Sequence, residues 1–146
     1  MAEPTDLKAV APLLLAARVV AVLGAHPSTW RPAHYVPAYL ISMGYRVIPV
    51  NPGFVGQELF GAPTVATLAE IPEPVDLVDV FRPGDRLRDH EADILAMRPL
   101  PTAVWFQQGI RNDDVAGRLR AAGITVVQDR CTLADHQSLA LPRIAG

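Results

Sequence analysis

The sequence predicts an α/β fold in which a parallel sheet is covered by helices on both faces, and three observations carry that expectation. Short β-branched apolar runs alternate with helical stretches from Val19 onward. Nearly every run stops at a Gly, Pro or polar turn. Residues 19–51 read as strand, loop, helix, turn, strand, the pattern of a crossover between parallel strands. At 146 residues the chain has the length of one domain, so a single domain over 1–146 is expected. Residues 1–18 would be an N-terminal helical extension and about 19–139 the core.

In order, residues 6–17 read as a surface helix, although Pro12 interrupts its apolar run and Arg18 closes it. The first strand is Val19–Leu23, ended by Gly24. The loop at 25–32 contains Pro27, Ser28, Thr29, Arg31 and Pro32. A helix follows, with Val36, Tyr39, Leu40 and Met43 at 3.6-type spacing and Gly44 as its stop. Arg46–Val50 is the second strand. Pro49 cannot donate to a ladder, which puts it where the strand leaves the sheet. Residues 54–63 read as irregular with room for one short strand. Residues 67–71 read as one helical turn capped by Thr64 or Thr67 and ended by Pro72 and Pro74.

Residues 76–81 (DLVDVF) form the third clear strand, followed by Arg82-Pro83-Gly84. Residues 85–97 read as a helix with Leu87, Ile94 and Leu95 partly in phase. Residues 102–106 (TAVWF) form the next strand, with Trp105 and Phe106 in the core. Asn112 suits the N-cap of a helix at 113–122, Asp113 and Asp114 suit its positive end, and Gly123 its stop. Residues 124–127 are the last strand. Asp129-Arg130-Cys131 is a loop and 133–139 a short closing helix. The whole is a Rossmann-like α/β domain, whose ligands sit at the carboxyl ends of the strands.

Composition narrows the function. The net charge of -2 and the pI near 6.0 argue against a nucleic-acid partner. Glu3 and Asp6 stand where a signal peptide needs basic residues, and the apolar run after them is too short to cross a bilayer. Cys131 has no second cysteine to pair with. A cytoplasmic protein without a membrane partner is therefore expected. Lys8 is the only Lys, which disfavours Schiff-base or P-loop chemistry. The four His, at 26, 34, 90 and 136, fit no metal-binding spacing.

The candidate site is the carboxyl rim. Gly24 at a strand end lets a ligand approach the backbone, and the helix after it points N–H groups at an anion, although GxGxxG is absent. Asn51 ends the second strand where NAD-binding folds carry an acid. An amide there tolerates a phosphorylated ribose, favouring coenzyme A or NADP over NAD. Arg31 and Arg82 would converge on the same rim to meet phosphates. Gln107, Gln108 and Gly109 could bond the amides of a pantetheine arm, and His26 and His34 could touch phosphate or pack on the loop. Cys131 and His136 could form a nucleophile pair, although a buried inert thiol is the commoner fate of such a Cys.

Taken together, VLGA (22–25), PSTWRP (27–32), GYRVIPVNP (44–52), VDVFR (78–82), WFQQGI (105–110) and DRC (129–131) resemble the small stand-alone CoA-binding domain proteins of bacteria and archaea. That family is similar to the CoA-binding domain of the succinyl-CoA synthetase α subunit. The resemblance covers about residues 19–136. It implies a Rossmann-like fold that binds coenzyme A or an acyl-CoA through Gly24, Ala25, His26, Ser28, Arg31, Asn51, Pro52, Phe81, Arg82, Gln108, Gly109 and Ile110. His26 replaces a frequent Ser, Pro37 interrupts the first helix, and Asp135-His136 stands for the usual Glu-His. The synthetase domain with the phosphorylated His has no counterpart here, so ligase activity is not implied. The expected function is a non-catalytic or regulatory CoA-binding protein. The alternative is an NADP-binding or acyl-transfer enzyme using Cys131 and His136.

Overall fold

The computed structural model describes residues 3–145; Met1 and Ala2, at the head of the expected extension, and Gly146 lie outside the described residues. Chain order is α1 (Leu7–Ala16), β1 (Val19–Leu23), α2 (Pro32–Ser42), β2 (Arg46–Val50), β3 (Glu58–Leu59), β4 (Ala62–Pro63), β5 (Leu77–Val80), α3 (Arg88–Leu95), β6 (Ala103–Phe106), α4 (Asp113–Ala121), β7 (Thr125–Val127) and α5 (Thr132–Ser138). Five strands form one parallel sheet in the order β2-β1-β5-β6-β7. The expected Rossmann-like α/β architecture is what the chain adopts. The winding direction reverses between β1 and β5, and such a switch point opens a crevice at the carboxyl ends of the strands.

The two-residue period of the strands divides the core into two halves. Ala21, Leu23, Val78, Val80, Val104, Phe106 and Val126 face one way and pack on Leu87 and Ile94 near and in α3 and on Val115 and Leu119 of α4. Val20, Val22, Leu77, Trp105 and Val127 face the other way, toward Val10 and Leu14 of α1 and Leu40 of α2. Trp105 and Phe106 are both fully buried, as their strand position implies. Asn112 caps α4 by accepting from the Val115 N–H at 3.0 Å.

Residues 6–17 form the expected surface helix as α1, anchored on one face where Val10 and Leu14 are 0% and 1% exposed in the core. Several other elements depart from expectation. Pro49 stays in the ladder, in register with Val22. Its carbonyl accepts from Val65 N at 3.1 Å on the outer side of this edge strand, so the missing N–H falls where no neighbouring sheet strand needs it. The expected helix at 85–97 is a 3-10 turn, Gly84–Arg86, and then the shorter α3. Thr67 precedes a 3-10 turn at Leu68–Glu70 without capping it, and Thr64 Oγ1 donates to the Gln57 carbonyl instead. The stretch 54–63 holds two strands, β3 and β4, joined by Phe60 and Gly61 at φ 56° and 78°.

Candidate functional site

Two cavities open at the carboxyl rim, one on each side of the switch point. The larger, about 510 Å³, is walled by Trp30, Arg31, Tyr35 and Val36, by Phe81 after β5, by Gln107, Gln108 and Ile110 after β6, and by Cys131. The smaller, about 210 Å³, is walled by Leu23 and Gly24, by Val50, Asn51 and Pro52, by Arg82, and by Asp89, His90 and Asp93 of α3. The adjacent residues Phe81 and Arg82, just past the end of β5, thus serve different cavities, and the chain there is the partition.

Gly24 sets that partition. Its φ is +91° and its N–H bonds Val50 O at 2.8 Å. A Cβ there would stand 3.0 Å from Arg82 Cδ and 3.3 Å from the Phe81 carbonyl. Glycine alone lets the Arg82 side chain lie across the end of β1 in this backbone conformation.

The first loop is tied down by its own residues. Pro37 has no N–H for the Ala33 carbonyl four residues earlier, and that carbonyl accepts instead from His26 N at 3.4 Å. His26 Nδ1 accepts from Ser28 N at 3.0 Å, and its ring meets Phe54 edge-on at 5.0 Å. Burial pushes the His26 pKa down, and the charges of Arg31 and His34 act in the same direction. His34 Nδ1 lies 2.9 Å from the His26 carbonyl. Asn51 Nδ2 donates to Ala25 O at 2.8 Å while its Oδ1 accepts from Gly53 N at 2.9 Å. Asn51 is therefore a brace between the two rim loops, with both ends of its amide in use. Ala25, His26, Ser28 and Gly109 shape the loops and are not on the walls of these two cavities.

Arg31 is the N-cap of α2, whose first turn has no acidic residue, so charge and helix dipole are both positive there. Its guanidinium lies 4.9 Å from the exposed Trp30 ring. On the far side, Gly109 N donates to Asp129 Oδ1 at 2.6 Å, and Asp129 N to Ile110 O at 3.1 Å, clasping the turn after β6 to the one after β7.

A family model described as the CoA binding domain matches residues 18–137. The chain belongs to that family. The uncharacterized protein YneT of Bacillus subtilis (strain 168) is 32% identical over 124 residues, 85% of this chain and 89% of that protein. A solved structure of cell-free ID.343 from Thermus thermophilus superposes with a TM-score of 0.88 at 50% identity, covering 92% of this chain and 99% of that one. A hypothetical protein from Pyrococcus horikoshii OT3 superposes with a TM-score of 0.85 at 26% identity, covering 97% and 99%. The dinucleotide-forming acetyl-coenzyme A synthetase 1 of Ca. Korarchaeum cryptofilum, 19% identical with a TM-score of 0.63, shares the fold over 74% of this chain and 25% of its own.

In this CoA-binding domain Cys131 is not a buried inert thiol. It is partly exposed on the wall of the larger cavity, because it precedes α5 at a strand end rather than sitting inside an element. His136 does not pair with it. The ring is 1% exposed, its Nδ1 lies 2.7 Å from Tyr39 Oη, and its Nε2 has no partner among the described residues. Burial lowers the His136 pKa.

Three side chains of this CoA-binding domain escaped the sequence reading. Asp79 is fully buried in β5 on the α5 side of the sheet, where Gln107 Nε2 reaches its Oδ1 at 2.5 Å and Thr132 Oγ1 its Oδ2 at 3.1 Å. Burial raises its pKa to about 7 against the lowering effect of these two bonds. The signal was an acid inside an apolar strand. His90 and Asp93 of α3 line the smaller cavity, and nothing in the spacing of residues 85–97 sets them apart as site residues. Burial, with Arg82 acting in the same direction, holds the His90 pKa down against Asp89 and Asp93. No helix among the described residues is long and apolar enough to cross a membrane.

Proposed function

We propose that this protein binds coenzyme A or an acyl-CoA across the carboxyl rim and acts as a binding or regulatory module without chemistry of its own. The observation that carries the reading is the pair of cavities meeting at Gly24 and Phe81-Arg82, which suits a ligand with two dissimilar ends. The adenosine end would occupy the smaller cavity beside Asn51 and Pro52. The pyrophosphate would cross Gly24 toward the electropositive start of α2. The pantetheine arm would lie in the larger cavity, along Phe81, Gln108 and Ile110. A purpose-built catalytic pair is not assembled at its end, since His136 is turned to Tyr39.

Calorimetric titration with CoA, acetyl-CoA, NAD and NADP tests the proposal. Micromolar CoA binding that depends on the ribose phosphate, with NAD silent, is the expected result. Binding of NADP alone would overturn it. Arg82→Ala should weaken CoA binding by about 1.5–3 kcal/mol, roughly ten- to a hundred-fold, if Arg82 meets a phosphate through a charge-assisted hydrogen bond. An unchanged affinity would remove Arg82 from the site.

A second reading, acyl transfer through Cys131, is favoured by one observation, its exposure on the wall of the larger cavity. Transfer of an acyl group from acetyl-CoA to the thiol would appear as a stable mass increase on incubation. No such adduct, with CoA binding intact, would remove this reading.

A further inference from the structure

The segment at residues 3–5, just ahead of α1, is pinned where the turns after β6 and β7 meet. Glu3 Oε1 accepts from Gln128 Nε2 at 2.8 Å and from Arg120 Nη2 at 3.2 Å. Glu3 Oε2 accepts from Arg111 Nη2 at 3.0 Å. Two residues on, the Thr5 carbonyl accepts from Arg130 Nη1 at 3.0 Å. These partners are 108 to 125 positions away, so the segment is a tertiary strap. It also lies outside residues 18–137, the stretch that matches the family.

The Glu3 and Arg120 side chains are only 18% and 16% exposed, so salt screens their pairing less than that of a surface pair. Among the described residues Arg120 pairs with no other carboxylate. Gln128, 2% exposed, passes the hold inward. Its Nε2 donates to Glu3 and, at 3.0 Å, to Asp113 Oδ1, which turns its Oε1 toward the Asn112 N–H at 2.7 Å. Asn112 follows Ile110 of the larger cavity by two residues, and Arg130 immediately precedes Cys131 on the same wall. Glu3 itself is not on that wall. We infer that Glu3 is a positioning residue for the larger cavity. Its carboxylate fixes the separation of the turns at 107–112 and 128–131, so that Ile110 and Cys131 stand as a preformed wall before a ligand arrives. Without that charge, Arg111 and Arg120 lose the group that joins them, and the ligand must order the wall itself. The effect on affinity rests on the CoA reading proposed above, whereas the effect on the two turns does not.

Glu3→Ala and Glu3→Gln are compared with wild type and with Glu73→Ala, a control that breaks the Arg46 ion pair at the start of β2. Hydrogen exchange is read at the Asn112 and Asp129 amides, which donate to Gln128 Oε1 and to the Ile110 carbonyl. In Glu3→Ala both should accelerate about ten-fold beyond the change at the buried β1 amides, the worth of one charge-assisted hydrogen bond. Glu3→Gln keeps an oxygen for Gln128 and should fall between. By calorimetry CoA should bind Glu3→Ala about three- to ten-fold more weakly, and Glu73→Ala as wild type does. Equal acceleration at all amides, or loosened turns with wild-type CoA affinity, would overturn the inference and leave CoA binding standing. If wild type binds no CoA, the CoA reading fails and alkylation of Cys131 decides. A faster rate in Glu3→Ala than in wild type and Glu73→Ala would sustain the positioning role, and an equal rate would end it.

Discussion

Replacing Asp79 by Asn is expected to flatten the pH dependence of folding stability and to make the protein more stable than wild type above pH 7. Asp79 is fully buried, and its pKa rises to about 7 because burial outweighs the bonds from Gln107 and Thr132. An unfolded Asp titrates at about 3.9. Below that pH both states are protonated and the group has no effect. Between about 4 and 7 the unfolded state has released its proton while the folded state holds one, so rising pH favours unfolding. Above 7 both are ionised and the loss is complete. Three pH units at about 1.36 kcal/mol each give a loss of the order of 4 kcal/mol. Asn removes the ionisation and still accepts from Gln107 while its Nδ2 faces Thr132 Oγ1. Urea unfolding of both proteins at pH 5 and pH 8 measures this. Parallel curves with the same pH dependence would show that Asp79 is ionised throughout.

The network also bears on the site. Gln107 is 4% exposed, borders the larger cavity, and spends both Nε2 hydrogens on Asp79 and Thr132. A buried acid thus fixes the orientation of a rim side chain. In Asp79→Asn the Gln107 amide keeps an acceptor, so CoA affinity should change far less than stability.

The elements that the sequence announced most clearly are those whose local chemistry agrees with their tertiary place. Val19–Leu23 is β-branched, buried and closed by Gly24, and Asn112 caps the helix it was assigned. The failures occur where position in the sheet overrides a local rule. Pro49 looked like a strand exit, but an edge strand has one side on which a missing N–H does no harm. Phe60 at φ 56° hid the β3–β4 turn, because a bulky residue is not a usual signal for a left-handed backbone. Val10 and Leu14 were legible as apolar, but nothing in the run from 6 to 17 told that the sheet had an uncovered face waiting for them.

The rim was legible in the same partial way. Gly24, Arg82 and Asn51 were found because strand ends are visible in sequence, and they do meet around one crevice. What Asn51 does there was not visible. Its amide braces Ala25 to Gly53, so an argument from its neutrality toward a ribose phosphate concerns the absence of a carboxylate and not a contact. His90 and Asp93 were hidden for a different reason. A charged helix face looks solvated in sequence, and only the folded chain shows Asp89, His90 and Asp93 of α3 lining one cavity with Leu23 and Gly24.

Trp105→Ala is expected to cost about 3–5 kcal/mol of stability, the range for truncating a large aromatic side chain in a packed core. Trp105 is fully buried in β6 on the α1–α2–α5 side, in register with Asp79 on one neighbour and Val127 on the other. Its indole N–H donates to the Arg130 carbonyl at 2.8 Å. Arg130 in turn holds Asp135 of α5 through two bonds, at 2.7 Å and 2.9 Å. The substitution therefore empties a core volume and also releases the loop that carries Cys131 to the cavity wall. Trp105→Phe separates the two effects. It keeps most of the packing and removes the bond to Arg130, so it should cost about 1–3 kcal/mol, mainly the penalty for leaving a part-buried acceptor unpaired. Chemical denaturation of the three proteins measures the cost, and the rate of Cys131 alkylation under native conditions measures the loosening. Faster alkylation in Trp105→Phe at a stability close to wild type would show that the indole N–H mainly positions the 129–131 loop. Alkylation unchanged in Trp105→Phe would mean that packing alone holds Cys131 in place.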